Sequence, residues 1–191
     1  MLERNDIMRG LSRLAGLARE AGRCVEIAIY GGSAIALVWA FRAATQDVDA
    51  VISRSEDSAF VRDAVAKIAT ENGWNQDWLN DGVRGFLSAN ESLNEYDLGA
   101  QPGENPGLRV FVPTPEYMLA MKCMAMRLDA ASHDVADIRA LITITHAQSV
   151  DQVLAIVERY YPRRLIPPKV ELGVREIFKS TQTEQSNGTH S

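Results

Sequence analysis

Val25-Glu26-Ile27-Ala28-Ile29-Tyr30-Gly31-Gly32-Ser33, followed by Asp47-Val48-Asp49-Ala50-Val51-Ile52, is the stretch on which the fold turns. An apolar run that ends in two glycines predicts a buried strand running into a turn. Asp47 and Asp49 open a second apolar run. Side chains at i and i+2 of a strand share a face, so the two carboxylates are expected to converge. The intervening Ala34-Ile35-Ala36-Leu37-Val38-Trp39-Ala40-Phe41 is apolar almost all round and rich in alanine, which predicts a buried helix beginning just after the glycines. Two carboxylates beside a glycine turn suit a hydrated divalent cation holding a phosphate. Gly31 and Gly32 let the backbone approach that phosphate, and Ser33 offers a hydroxyl in front of a helix amino terminus.

Working outward, apolar spacing over residues 7–21 predicts a helix stopped by Gly22, and Ser58 to Asn72 predicts another stopped by Gly73. The strand after Asp47 is expected to span Thr45 to Ser53. Residues 74–107 carry no clear period. Asn80-Asp81-Gly82 marks a turn, and Gly99 to Gly107 reads as a loop. Leu108-Arg109-Val110-Phe111-Val112 alternates as a further strand. Helices follow. Thr114 and Pro115 start one that reaches about Ala130, Ser132 caps one from His133 to about Thr145, and Ser149 caps one through Arg159. A last short helix is expected near Lys169 to Phe178, after Pro167-Pro168. Residues 1–112 thus form a core with an amino-terminal helix, 113–180 a helical part of the same compact unit, and 181–191 a polar, disordered tail.

The chain has 191 residues, 46% hydrophobic and 24% charged, with a net charge of -5. That is an ordinary composition for a globular protein, and it argues against coating nucleic acid by charge alone. Cys24 and Cys123 have no metal-ligand spacing and lie in apolar surroundings, so free thiols are expected. His146 and His190 show no metal spacing either. The first residues carry acid with no apolar run behind them, and no stretch approaches the ~20 apolar residues of a membrane span. A cytoplasmic protein with no membrane partner is the expectation. Arg159, Arg163, Arg164 and Lys169 lie beside Tyr160 and Tyr161, a composition that could meet RNA. A solvated linker between helices is the favoured reading of that stretch.

A second constellation sits on the later helices. Lys122 is an ammonium on an otherwise apolar helix, an expensive position without an anionic partner. Asp134 and Asp137 are i and i+3, neighbours on one helix face. Two antiparallel helices joined by Asp129 to Ser132 would bring Lys122 close to Asp134. The competing reading is an ordinary interhelical ion pair with Asp137 in solvent.

Together these residues resemble a known family. Gly31-Gly32-Ser33 and Asp47-Val48-Asp49 are similar to the signature of the polymerase-beta-like nucleotidyltransferase superfamily. The helical part, Lys122 to Arg127 and then His133-Asp134 to Asp137 and Leu141, is similar to the Lys-x4-Arg…Asp-x2-Asp-Leu motif of AbiEii-like and MenT-like bacterial nucleotidyltransferases. The resemblance implies an α/β (α+β) nucleotidyltransferase fold, with a small mixed β-sheet flanked by helices and a helical carboxy-terminal half. It implies transfer of a nucleoside monophosphate from an NTP to a hydroxyl acceptor. Asp47 and Asp49 would hold Mg²⁺ or Mn²⁺, Gly31, Gly32 and Ser33 would bind phosphates, Lys122 would steady them, and Asp134 would orient that lysine or help deprotonate the acceptor. The acceptor would be RNA, a tRNA end or a protein. A toxin role with a cognate antitoxin is implied by the resemblance only.

The chain departs from the pattern in two places. The superfamily's third carboxylate comes from a later central strand, and Leu108 to Val112 carries none; Asp81 is the nearest substitute. His133 stands where the helical motif often has Lys or Arg. Two alternatives therefore accompany the reading. One is a catalytically weak or inactive nucleotide-binding or partner-binding member of the fold. The other is a small-molecule nucleotidyltransferase of the antibiotic-modifying kind, with Glu91, Glu95 and Asp97 lining an acidic cleft.

Overall fold

The computed structural model describes residues 1–99, 101, 103–127 and 133–187, with side chains as far as 180. The expected linker Asp129 to Ser132, and the capping role of Ser132, lie outside the described residues. The chain clusters into two compact units rather than one: Met1–Gly85 with Leu93–Pro113, and Phe86–Ser92 with Thr114–Ser191.

The first unit is a mixed α/β layer. It contains β1 (Leu2–Glu3), α1 (Arg4–Glu20), β2 (Val25–Ile29), α2 (Gly31–Val38), β3 (Ala44–Thr45) and β4 (Val48–Ile52). It continues with α3 (Ser58–Asn72), β5 (Leu79–Asn80), β6 (Leu93–Tyr96) and β7 (Leu108–Pro113). Five strands form one sheet in the order β5-β4-β2-β7-β6, and β1 pairs with β3 in a separate two-stranded ribbon. The central β2 runs antiparallel to β4 and parallel to β7. Burial alternates along β7, where Leu108, Val110 and Val112 are buried and Arg109 and Phe111 are half-buried. On the half-buried side Arg109 binds Glu26 of β2 at 2.6 Å and Glu95 of β6 at 2.8 Å, tying three strands together.

Helix α1 turns Ile7, Leu11, Leu14 and Ala18 inward at helical spacing. Trp78 is 1% exposed, and its indole Nε1 donates to Val65 O at 3.1 Å. A Cβ on Gly10 would stand 2.6 Å from the Trp78 ring, so α1 carries a residue without a side chain at that point. Helix α3 has the expected bounds, because Gly73 takes the left-handed conformation, φ 66°, that closes it.

The second unit is helical. It holds α4 (Pro115–Ala125), α5 (Asp134–Ile144), α6 (Val150–Tyr160) and α7 (Pro168–Asn187). Helix α4 is buried from Tyr117 to Cys123 and packs against the other three. Thr114 and Ser149 cap as expected, accepting from Tyr117 N and Gln152 N. The last helix extends past the expected end at Phe178 to Asn187, so the stretch from 181, expected as disordered tail, is helical that far; residues 188–191 lie outside the described ones.

The segment Phe86–Ser92 belongs to this unit although the chain is in the middle of the other one. Ser88 N donates to the Tyr117 hydroxyl at 2.9 Å, and the Tyr161 hydroxyl donates to Phe86 O at 2.5 Å. Ser88 Oγ also donates to Tyr160 O, and Tyr160 stacks on Tyr117 with ring centroids 4.9 Å apart. The two tyrosines that could have met RNA bases are engaged in this packing, and the expected solvated linker is confined to the exposed residues 162–165, since Arg159 and Tyr160 belong to α6 and Tyr161 is buried. No helix among the described residues is long and apolar enough to cross a membrane.

Candidate functional site

The hydrogen-bond ladder between β2 and β4 places the first motif. Tyr30 N donates to Asp49 O at 2.9 Å, and Ile29 faces Ala50 in register, so the end of β2 meets the start of β4. Helix α2 starts at Gly31, three residues before the expected Ala34, and ends at Val38. Gly31 has φ 61°, which lets the chain turn directly from strand into helix. A Cβ there would lie 2.7 Å from Asp49 Oδ2, so this carboxylate rests against the head of α2.

That head is a natural anion position, because the leading N–H groups of an α-helix have no acceptor within the helix. Ser33 is 1% exposed, and its hydroxyl donates to Tyr30 O at 2.8 Å. The proton expected for a phosphate is therefore committed to the backbone. A residue the sequence reading passed over stands nearby instead. Arg42 Cζ is 2.8 Å from the position of a Cβ on Gly32, and its Nε donates to Ala44 O at 3.1 Å. A carboxylate and a guanidinium thus lie over consecutive glycines.

Asp47 and Asp49 are both half-buried, and both border the residue beside them on β5. Strand β5 pairs in parallel with β4, setting Asn80 opposite Asp49. Asn80 Nδ2 donates to Asp47 Oδ2 at 2.8 Å, and Asn80 Oδ1 accepts from Gly82 N at 2.9 Å. Asp49 Oδ1 lies 3.7 Å from where a Cβ on Gly82 would be. Strand β7, which carries no carboxylate, lies on the other side of β2 from β4. The neighbour that matters is β5, and it supplies an amide. Asp81 pairs with Arg84 at 2.6 Å on the surface, which is the turn role open to it. Among the described residues no three His, Cys, Asp or Glu side chains group as a metal-ion site.

Lys122 and Asp134 belong to the second unit. Lys122 Nζ is 3.1 Å from Asp134 Oδ1 and 2.7 Å from Asp137 Oδ2, with the three residues 9%, 5% and 3% exposed. The expected approach to Asp134 is present. Asp137 is a buried partner and not a solvated one, because two acids three apart on one helix turn to the same lysine. Arg127 adds its backbone N–H to Asp134 Oδ2 at 3.1 Å, and both acids occupy the first turn of α5, where the helix dipole favours negative charge. Of the stretch that suggested an acidic cleft, Glu95 is bound by Arg109 and Asp97 accepts from Gly99 N at 2.7 Å.

No family model matches this chain, and no curated protein or solved structure matches it.

Proposed function

We propose that the first unit binds a nucleoside triphosphate with Mg²⁺ or Mn²⁺ and transfers its nucleoside monophosphate to a hydroxyl acceptor. The observation that carries this reading is the closeness of Asp49 to the backbone of Gly31 at the head of α2, with Arg42 over the next glycine. Hard divalent cations take carboxylate oxygens, and phosphates take backbone N–H groups and guanidinium forks. The residues present fit both. Asp47 and Asp49 would hold the cation, which neutralises charge on the phosphates when bound. Gly31, Gly32 and Arg42 would hold the phosphates. The acceptor oxygen bonds to the α-phosphorus while the α–β bond breaks, pyrophosphate leaves with the electron pair, and the acceptor's proton passes to water. Lys122, held by two acids, ties α4 to α5 in this reading. RNA, a tRNA end or a protein hydroxyl is the acceptor class the resemblance implies, with a cognate antitoxin as partner.

Incubation with Mg²⁺ and each α-labelled NTP, with bulk RNA or alone, tests it. Transfer of label that disappears in Asp49→Asn supports the enzyme. A second reading, a nucleotide-binding protein without turnover, is favoured by the amide at Asn80, since no carboxylate there accepts the acceptor's proton. It predicts metal-dependent nucleotide binding and no label transfer.

A further inference from the structure

We infer that Asn80 restricts this site to a single divalent cation, the one arriving with the nucleotide's phosphates, and fixes Asp47 for it. The inference rests on the reading above and concerns the strand beside β4. Asn80 and Asp49 are partners in register, so an amide flanks the carboxylate pair.

The orientation of that amide is determined from both ends. A backbone N–H only donates, so the atom 2.9 Å from Gly82 N is the amide oxygen. The NH₂ group is then the one 2.8 Å from Asp47 Oδ2, and it also reaches Asp77 O at 3.3 Å. Both acceptors suit a donor and would repel an oxygen.

Two consequences follow. A second cation on the Asn80 side of Asp47 needs oxygen lone pairs and meets N–H protons, because the amide oxygen of Asn80 is turned to Gly82. Asp47 itself gains a fixed partner, and such partners orient metal-binding carboxylates. The third carboxylate that would invite another ion is absent from this strand, where the residue opposite Asp49 is Asn80. Asn80 is in this sense a positioning residue.

The intact protein is dialysed against Mn²⁺ with each of the four α,β-methylene nucleoside triphosphates, and bound metal and nucleotide are counted per chain. The wild type should hold one Mn²⁺ per bound nucleotide and Asn80→Asp two. Asn80→Ala should keep one, with affinity lowered about 10-fold as Asp47 loses its partner. Two Mn²⁺ in the wild type, or one in a folded Asn80→Asp, overturns the inference. If circular dichroism shows Asn80→Asp unfolded, the wild-type count and the Asn80→Ala affinity decide, and an unchanged affinity overturns the positioning role. Equal Mn²⁺ and nucleotide retention by an Asp47→Asn/Asp49→Asn variant would overturn the metal reading itself, and this inference with it.

Discussion

Lys122 Nζ lies 2.7 Å from Asp137 Oδ2, closer than its 3.1 Å to Asp134 Oδ1. The lysine therefore bridges two acids that α5 presents together, and all three are taken largely out of water. Removing the cation leaves two buried carboxylates short of their partner. Lys122→Met should cost about 3–5 kcal/mol, read as a lower urea midpoint. Adding Asp134→Asn and Asp137→Asn to it should restore much of the loss. A neutral Lys122→Met would show that the triad contributes little.

Arg42 should act on nucleotide binding. A hydrogen bond to a charged group is worth about 1.5–3 kcal/mol, so Arg42→Gln should raise the KM for NTP roughly 10- to 100-fold and lower kcat by less. Equal KM values for the two proteins would remove Arg42 from the phosphate site.

Gly31 is intolerant of a side chain for two reasons. At φ 61° any other residue is strained by about 1–2 kcal/mol, and the new Cβ would displace Asp49 Oδ2 from 2.7 Å. Gly31→Ala should lower both the thermal midpoint and metal affinity. Retention of metal affinity would mean that Asp49 serves elsewhere.

Asp49→Asn keeps the side chain's shape and the Tyr30 N to Asp49 O bond while removing charge. Label transfer should fall at least about 100-fold, with the thermal midpoint nearly unchanged. Loss of folding in place of activity would make Asp49 structural.

Burial pushes the Cys123 thiol up to about 12 and also raises the Tyr117 and Tyr161 hydroxyls. Each folded value exceeds the unfolded one, so the folded state favours the protonated form. Their contribution to stability is intact below the unfolded values of about 8.5 and 10 and is lost as pH rises through the folded ones. The thermal midpoint should hold near neutrality and fall from about pH 9 upward. Under neutral conditions a thiol reagent should react quickly with half-buried Cys24 and reach Cys123 only on denaturation. Two fast thiols would contradict the packing of α4.

The elements legible in the sequence are those with local determinants. Gly73 closes α3 at the expected residue, and Thr114 and Ser149 start their helices because each cap is a short-range bond. The strands Val25–Ile29 and Val48–Ile52 are visible as apolar runs, but the expected strand from Thr45 to Ser53 is broken before Val48, so Asp49 lies in β4 and Asp47 precedes it. Helix α2 begins earlier than propensity indicates, since glycine is a poor helix former and the turn's geometry overrides that preference. Strand β5 is two residues long, too short for any period to mark it. The turn role of Asn80 is legible in Asn80-Asp81-Gly82, but its contact with Asp47 is not, nor is the position of Arg42, because only the pairing of β5 with β4 and the path after α2 bring them to the carboxylates and glycines. Asp137 was legible in principle from its i, i+3 relation to Asp134.

The excursion of Phe86–Ser92 has a consequence for how each unit's unfolding can be observed. The chain leaves the sheet unit after Gly85 and rejoins it at Leu93, so this short segment is embedded in one sequence neighbourhood and fastened to another. The Ser88 amide, buried on the Tyr117 hydroxyl, exchanges with solvent only when the helical unit opens. Ser88 is thus a built-in gauge of the helical unit, placed between stretches that report on the sheet.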